Sequence, residues 1–236
     1  MLARVQARIT TLWAPFAGSK RRIRIFVPAK IEETPPVLVL FDGQNVLDDE
    51  GSFAGGWRAH EAISTLPSTI RRPVLVAIDH GGDRRMHELW RGLDETLDLV
   101  RRVLPAAERA ISTRFDPGAR VIGGASMGGL ASLAAVARHP DVFASALAMS
   151  PSTWIAPAAI RHELAQARLD HARFYVDVGL RESVKMVRES QLTARLLTLR
   201  LGEARVMWRP DRRGLHRELD WRRRLPKALR FLFRRQ

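Results

Sequence analysis

One serine lies between glycines in a pattern that can support nucleophilic chemistry. The segment Gly124-Ala125-Ser126-Met127-Gly128 follows a short apolar run and precedes a stretch rich in small residues. A serine between a strand and a helix lies on a sharp turn, where bulky side chains two residues away on either side would clash. Such a turn directs the following N–H groups and the positive helix end towards the serine hydroxyl. The pattern therefore predicts Ser126 as a nucleophile.

The same glycines could instead form an ordinary strand-to-helix turn or a phosphate-binding loop. A phosphate-binding loop of the Walker type needs a lysine followed by serine or threonine after its last glycine, and no such pair follows Gly128. The glycines from Gly123 onwards also do not match the spacing G-x-G-x-x-G. The strand before Ser126 and the helix after it favour the nucleophile.

A serine hydroxyl is a weak nucleophile until a neighbouring base accepts its proton. The chain contains seven histidines. His216 lies in the segment RRGLHRELDW, after the last predicted strand and before a closing helix, where the chain order nucleophile, acid, histidine places the base. His80 also follows a strand end and is the main alternative. We predict His216 as the general base.

The acid that orients the base should lie between the serine and the histidine, near the end of a strand. Three carboxylates meet this condition. Asp177 lies inside the predicted strand RFYVDVG, Glu182 lies just beyond it, and Asp211 follows the last strand. A residue beyond a strand end reaches a loop histidine more easily than one within the strand, so Glu182 is the preferred acid and Asp177 and Asp211 remain alternatives.

Short apolar runs alternate with segments of helical length along the chain, and this alternation is typical of a parallel sheet with crossover helices. We predict one α/β domain over residues 1–236, with an open, doubly wound, mostly parallel sheet whose ligands bind beyond the carboxyl ends of the strands. The first strand should be half-exposed, and Pro105 should kink or restart the helix that contains it. The predicted strands are 21–28, 37–41, 73–79, 119–126, 143–150, 173–179 and 204–210.

The composition is that of a globular protein with an unusual excess of arginine. The formal net charge is +14, and the only lysines are Lys20, Lys30, Lys185 and Lys227. The arginines are spread along the chain, which favours a solvated basic surface over a nucleic-acid site, so no nucleic-acid partner is expected. The chain has no cysteine, which excludes disulfides and thiolate metal sites. No apolar stretch is long enough to span a membrane, and a cytoplasmic location is the expectation; no oligomeric state is predicted.

Several segments together resemble an esterase family of the α/β-hydrolase superfamily, which includes enterochelin esterases, esterase D, feruloyl esterases and mycolyltransferases. The resemblance runs from about Arg21 to the C-terminus. It is carried by FDGQNVLD (41–48), FAGGW (53–57), VAIDHGGDRRMHEL (76–89), GGASMGGLASL (123–133), MSPSTW (149–154), DVGLRES (177–183) and LHRELDWRRRLPKALRFL (215–232).

The resemblance implies the α/β-hydrolase fold and an acyl-enzyme on the serine, with the histidine as base and Glu182 as acid. It implies that the backbone N–H groups of Gln44 and Met127 form the oxyanion hole, and that Asn45 and Trp57 line the substrate pocket. Hydrolysis of a small-molecule ester without metal or cofactor is expected. The alternatives are acyl transfer to an alcohol or sugar, and a non-catalytic module that binds anions or nucleic acid.

Three arginines suggest a preference for anionic esters. Arg84, Arg85 and Arg181 follow predicted strands, at the edge of the sheet where the substrate is expected. Their position predicts that they attract a carboxylated, phosphorylated or catecholate substrate.

Overall fold

Six short apolar segments form the parallel part of an eight-stranded sheet in the computed structural model, which describes residues 6–49, 52 and 55–235. Except in the last strand, at the edge of the sheet, the residues of these strands are almost all buried, because helices cover both faces of the sheet. The sheet order is β1-β2-β4-β3-β5-β6-β7-β8. The parallel strands are β3 (Val37–Phe41), β4 (Val74–Ile78), β5 (Arg120–Ala125), β6 (Ser145–Met149), β7 (Arg173–Gly179) and β8 (Val206–Asp211).

An antiparallel pair of strands extends the sheet at one edge. Strand β1 (Arg8–Phe16) pairs with β2 (Ser19–Val27), and β2 pairs antiparallel with β4. The sequence did not predict β1, whose side chains alternate between exposed and half-buried positions at the sheet edge. The prediction that the next strand is half-exposed was wrong. Strand β2 lies inside the sheet, and its Arg21 and Arg24 are buried beside hydrogen-bond acceptors.

Helices cover the two faces of the sheet unequally. One face packs against α2 (Leu93–Ile111), α3 (Met127–Arg138), α4 (Pro157–Gln166) and α5 (Val184–Leu201). The other packs against α1 (Ala59–Ser64) and α6 (Glu218–Leu232). The doubly wound architecture is therefore confirmed.

Two features of the helices bear on the predictions. Helix α2 continues through Pro105 and does not restart there. The proline is on the exposed side of the helix, so the pyrrolidine ring meets solvent and only one backbone hydrogen bond is lost. None of the described helices combines the length and the apolarity that crossing a bilayer requires.

Candidate active site

Ser126 occupies a strained turn between β5 and α3. Its backbone angles are φ 57° and ψ −121°, a conformation that a non-glycine residue adopts only at an energetic cost. Its N–H donates to Met149 O at 2.9 Å, which attaches the turn to the neighbouring strand β6. A Cβ atom on Gly124 would lie 2.7 Å from the carbonyl carbon of Gly128. The expected need for a small residue two positions before the serine is therefore a real steric constraint, whereas a Cβ atom on Gly128 would be tight but not clashing, at 3.3 Å from Asp42 Oδ2.

Two loops at the carboxyl edge of the sheet are joined by backbone hydrogen bonds. Leu180 N donates to Asp211 O at 2.8 Å, and Arg181 N donates to Gly214 O at 3.2 Å. A Cβ atom on Gly179 would lie 2.3 Å from Gly214 O, so only glycine permits this approach. The loop after β7 and the loop after β8 consequently run side by side above the sheet.

This pairing of loops brings Glu182 and His216 together beside Ser126. The Nε2 atom of His216 lies 3.0 Å from Ser126 Oγ, and its Nδ1 atom lies 2.9 Å from Glu182 Oε2. With its proton on Nδ1, His216 donates to Glu182 and accepts from the serine hydroxyl. The Trp221 ring meets the imidazole edge to face at 5.0 Å and supports its orientation. The side chain of His216 is 34% exposed, so the site opens to solvent.

Both carboxylate oxygens of Glu182 take part in hydrogen bonds. Its Oε1 atom accepts from Ser150 Oγ at 2.6 Å and from the Gly179 N–H at 2.7 Å, which leaves Oε2 for His216. Burial alone would raise the pKa of Glu182, but the hydrogen bonds from His216, Ser150 and Gly179 lower it below its ordinary value. Glu182 is therefore an anion, fixed in one orientation, beside the imidazole.

The Ser150 hydroxyl has a single possible orientation. It accepts from Trp221 Nε1 at 3.1 Å and from Arg224 Nη2 at 2.9 Å. A hydroxyl has two lone pairs and one proton, so these two donors leave the proton for Glu182. Ser150, Trp221 and Arg224 thus form a buried support behind the carboxylate.

The other two candidate acids have different partners. Asp177 is fully buried, accepts from Ser150 N at 3.1 Å and lies 3.5 Å from Arg224 Nε. Burial raises the pKa of Asp177 to about 6, although the nearby Arg224 opposes the rise. Asp211 accepts from Arg223 Nη2 at 2.7 Å. Of the three carboxylates, Glu182 is the one hydrogen-bonded to His216.

Gln44 lies in a short 3-10 turn, Gly43–Asn45, directly after β3. Its side-chain Oε1 accepts from His80 N at 3.2 Å, which ties the turn to the loop after β4. A Cβ atom on Gly43 would lie 2.7 Å from the carbonyl carbon of Ile78, so the turn approaches β4 closely. Among the residues that the structure describes, the backbone N–H groups of Gln44 and Met127 have no acceptor. Both are therefore available to a ligand.

An ion pair supports this turn from below. Asp42 adopts a left-handed conformation with φ 57°, and its carboxylate is 8% exposed. Arg85 donates to both of its oxygens, at 2.6 and 2.7 Å. This fork geometry gives a well-oriented pair that holds the start of the turn.

The arginines expected to attract an anionic substrate are mostly engaged within the protein. Arg85 is paired with Asp42, and Arg84 Nη1 donates to Ala17 O at 2.8 Å. Arg181 is exposed. Two of the three guanidinium groups thus serve internal contacts, and attraction of an anionic substrate by these arginines stays a prediction.

The two residues predicted to line the pocket differ in exposure. Asn45 is half-buried at the end of the 3-10 turn, and its carbonyl accepts from Trp57 N at 2.8 Å. The Trp57 side chain is buried, and its ring lies 5.9 Å from that of Trp221. Trp57 thus stands behind the site, and its contact with substrate stays a prediction. Phe53 and Ala54 of the same motif lie outside the described residues.

His80, the alternative base, is engaged in a local turn. Its Nδ1 atom accepts from Gly82 N at 2.9 Å, and burial lowers its pKa below the ordinary value. It is not hydrogen-bonded to Ser126. The serine hydroxyl also lies 3.3 Å from Ser152 Oγ, a contact that the sequence did not predict.

The supporting residues Ser150, Ser152, Trp221 and Arg224 were all missed. They belong to MSPSTW and LDWRRR, segments that carry the family resemblance, and this was the signal that could have found them. Within the described residues, no group of three or more histidine or acidic side chains is arranged to hold a metal ion.

Comparison with known proteins gives a family and a fold. A family model described as "Putative esterase" matches residues 15–232. The chain is 32% identical over 152 residues to the iron(III) enterobactin esterase of Dickeya dadantii (strain 3937). This alignment covers 63% of the chain and 34% of that protein, so the chain spans about a third of the length of the curated relative it matches.

Two solved structures illustrate the shared fold. The enterobactin esterase FES from Shigella flexneri, crystallised in the presence of enterobactin, superposes with a TM-score of 0.81 at 24% identity, covering 95% of this chain and 58% of that chain. The BES protein from Bacillus cereus superposes with a TM-score of 0.77 at 16% identity, covering 99% and 96%. The fold is that of the α/β-hydrolase esterases, and the match over residues 15–232 shows that the chain belongs to the Putative esterase family.

Proposed function

We propose that this protein is a serine hydrolase that cleaves carboxylic esters through an acyl-enzyme on Ser126. The observation that carries the proposal is the hydrogen-bonded sequence of Ser126, His216 and Glu182, with distances of 3.0 and 2.9 Å. This arrangement can transfer a proton from the hydroxyl to the imidazole and stabilise the resulting charge. It occurs in a chain of an esterase family.

In the first half-reaction, Ser126 Oγ forms a bond to the ester carbonyl carbon while His216 Nε2 accepts the hydroxyl proton. The carbonyl oxygen becomes an oxyanion, and the backbone N–H groups of Gln44 and Met127 donate to it. Collapse of this intermediate breaks the ester C–O bond. The alcohol leaves with the proton from His216, and the acyl group remains on Ser126.

In the second half-reaction, water takes the place of the alcohol. His216 accepts a proton from water as its oxygen bonds to the acyl carbon. The second tetrahedral intermediate collapses, Ser126 regains its proton from His216, and the carboxylic acid leaves. Glu182 keeps the proton on Nδ1 of His216 and stabilises the imidazolium through both half-reactions.

The surroundings of the site favour an ester with apolar or aromatic parts. Leu180, Val184 and Leu219 lie on the segments that carry Glu182 and His216, and they are 44%, 84% and 49% exposed. Trp154, four residues after Ser150, is 37% exposed. An apolar substituent could cover these side chains and remove them from water. We propose a small-molecule ester of this kind, and enterobactin, named for the relatives above, is one compound to test.

The test is hydrolysis of p-nitrophenyl acetate and butyrate together with labelling by a fluorophosphonate probe. We expect turnover and labelling in the native protein, and loss of both in Ser126→Ala. Ser64→Ala, which changes an exposed serine of α1, is the matched control and should retain both. Absence of turnover and of labelling in the folded native protein would overturn the proposal.

Hydrolysis is favoured over transfer to another alcohol because the His216 side chain is open to solvent. Product analysis with added glycerol or glucose distinguishes the two reactions. Release of free acid alone supports hydrolysis, whereas a dominant new ester with the added alcohol would assign the protein as an acyltransferase.

A further inference from the structure

The amino-terminal ends of β7 and β8 lie at the opposite end of the parallel strands from Ser126. They carry cationic side chains that ester hydrolysis does not use. Arg173 is the first residue of β7, Arg205 directly precedes β8, and Arg234 follows α6. Together with His171 they line a cavity of about 550 Å³, and no carboxylate belongs to its lining. We refer to these four residues as the basic cleft.

The fold holds these cations close to one another. Arg173 N donates to Ala144 O at 3.2 Å, and Phe174 N donates to Arg205 O at 2.9 Å. Arg234 Nη2 donates to Ala204 O at 2.6 Å, which draws this guanidinium to the residue before Arg205. Arginines from three separate segments therefore lie close together. The hydrogen bonds between these segments limit how far the arginines can move apart.

Two acidic side chains near the cleft, Glu32 and Asp116, are paired with other arginines. Arg71 lies 2.8 Å from Glu32 and 2.7 Å from Asp116, and Arg235 lies 2.9 Å from Glu32. No carboxylate of the described residues lies within ion-pair distance of Arg173, Arg205 or Arg234. Burial and repulsion from Arg234 and Arg205 lower the pKa of Arg173 below its ordinary value. Among the described residues, the three cleft arginines thus have no ion-pair partner of their own.

A second cavity continues the same surface. It has a volume of about 340 Å³ and shares His171, Arg173 and Arg234 with the first, so the basic cleft has room for a small ligand on both sides of Arg173. The one carboxylate in its lining, Asp116, is paired with Arg71. Like charges held together with partial loss of water raise the free energy of the folded state, and an anion bound between them lowers it. Convergent guanidinium groups match the oxygens of phosphate, to which each can donate two hydrogen bonds.

We propose that the basic cleft binds a compact phosphate-bearing anion. The shared chemistry is a phosphate group with two or more negative charges, which either an inorganic ion or a phosphorylated small molecule can supply. Strand β7 separates the cleft from Gly179 by six residues, or roughly 20 Å at ~3.3 Å per residue. The site is therefore distinct from the region of Ser126, and its ligand does not occupy the place of the ester.

Thermal unfolding and calorimetric titration with inorganic pyrophosphate test the proposal. Pyrophosphate should raise the melting temperature of the native protein with increasing concentration, while potassium chloride at equal ionic strength should not. Arg173→Gln and Arg205→Gln should each bind pyrophosphate at least ~10-fold more weakly, because each loses a charged donor pair. Both variants should melt no lower than the native protein without ligand, since each removes like-charge repulsion.

Arg109→Gln is the matched control, because it removes an exposed arginine of α2 and the same single charge. It should bind pyrophosphate like the native protein, and all three variants should hydrolyse p-nitrophenyl esters at the native rate if that activity is present. A parallel titration with glycerol 3-phosphate shows whether a phosphate monoester is sufficient. Binding of pyrophosphate supports the proposal whether or not glycerol 3-phosphate also binds.

Two results would overturn it. One is equal pyrophosphate binding by Arg173→Gln and Arg109→Gln, or an equal effect of potassium chloride. The other is tight, steeply salt-dependent binding of a DNA duplex with no response to pyrophosphate, which would assign the surface to nucleic acid.

Discussion

Ser150 Oγ donates its proton to Glu182 Oε1 across 2.6 Å. Because Trp221 and Arg224 occupy the two lone pairs of the hydroxyl, Ser150 cannot turn away from Glu182 without leaving a buried donor unsatisfied. The backbone of Ser150 has φ 41°, an uncommon value for a serine. The orientation of the carboxylate beside His216 therefore depends on a residue that does not contact the imidazole.

Replacing Ser150 by alanine should weaken turnover more than binding. We expect Ser150→Ala to reduce kcat by roughly 10- to 100-fold with little change in KM, because a hydrogen bond to a charged group contributes about 1.5–3 kcal/mol. Loss of this donor also raises the pKa of Glu182, so activity should begin to fall at a higher pH during acidification. Ser145→Ala, which changes a buried serine at the other end of β6, is the control. Equal kcat values for the two variants would contradict the positioning role.

The identity of the acid can be tested by neutral substitutions. Glu182→Gln should lower kcat by roughly 10²- to 10⁴-fold, because the amide cannot stabilise an imidazolium or select the same tautomer. Asp211→Asn should keep kcat within a factor of about two to three, since Asp211 pairs with Arg223. Steady-state hydrolysis of p-nitrophenyl butyrate measures both. A larger loss in Asp211→Asn would assign the role to Asp211.

The raised pKa of Asp177 predicts that the protein loses stability as the pH rises, whereas most carboxylates in folded proteins make stability rise with pH. Burial raises its pKa from 3.8 to about 6, so between these values the folded state binds more protons than the unfolded state. Stability from this group is present below pH 3.8 and is lost as the pH rises towards 6. The free energy of unfolding of the native protein should therefore fall over this range relative to that of Asp177→Asn. Urea unfolding of both proteins at several pH values tests this, and parallel curves would show that the pKa is not raised.

The ion pair of Asp42 and Arg85 should support both stability and catalysis. Arg85→Gln leaves a mostly buried carboxylate without its cation, so we expect a loss of about 3 kcal/mol in the free energy of unfolding. We also expect kcat/KM to fall at least ~10-fold, since the turn that presents Gln44 N loses its support. Arg84→Gln is the neighbouring control, because within the described part of the chain the guanidinium of Arg84 hydrogen-bonds to Ala17 O and to no carboxylate. Adding Asp42→Asn to Arg85→Gln should restore part of the stability, and failure to do so would argue against the ion pair as the cause.

Gly124, two residues before the serine, should not accept a side chain without a shift of the turn. In Gly124→Ala the new Cβ would lie 2.7 Å from the backbone of Gly128, so the turn must shift and the protein should lose about 1–3 kcal/mol of stability. Fluorophosphonate labelling of Ser126 should fall sharply in the same variant. In Gly118→Ala the nearest atom, on the Asp116 side chain, is at 3.4 Å, and stability and labelling should stay close to native. Native labelling of Gly124→Ala would refute the steric argument.

The local pattern of apolar residues and glycines was enough to predict most of the strands and the turn that carries Ser126. The apolar runs identified the inner parallel strands, because strands buried on both faces are continuous in hydrophobicity. The edge strand β8 was also predicted, from the segment ARVMWRP, although only its Val206 is buried. The glycines around Ser126 predicted its turn, because the steric requirement lies within five consecutive residues. Strand β1 was not predicted because its residues alternate between exposed and half-buried positions and form no apolar run. Helix α2 does not restart at Pro105, because an exposed helix position tolerates the loss of one hydrogen bond.

Contacts between distant segments decided the rest. Glu182, Asp177 and Asp211 all lie near strand ends, and their spacing along the chain does not reveal which carboxylate meets His216. That choice depends on the two hydrogen bonds between the loops after β7 and β8 and on the close approach of their backbones. The sequence likewise does not reveal that Arg85 pairs with Asp42 or that several arginines converge in the basic cleft. Both depend on which residues pack together in the folded protein rather than on their order along the chain.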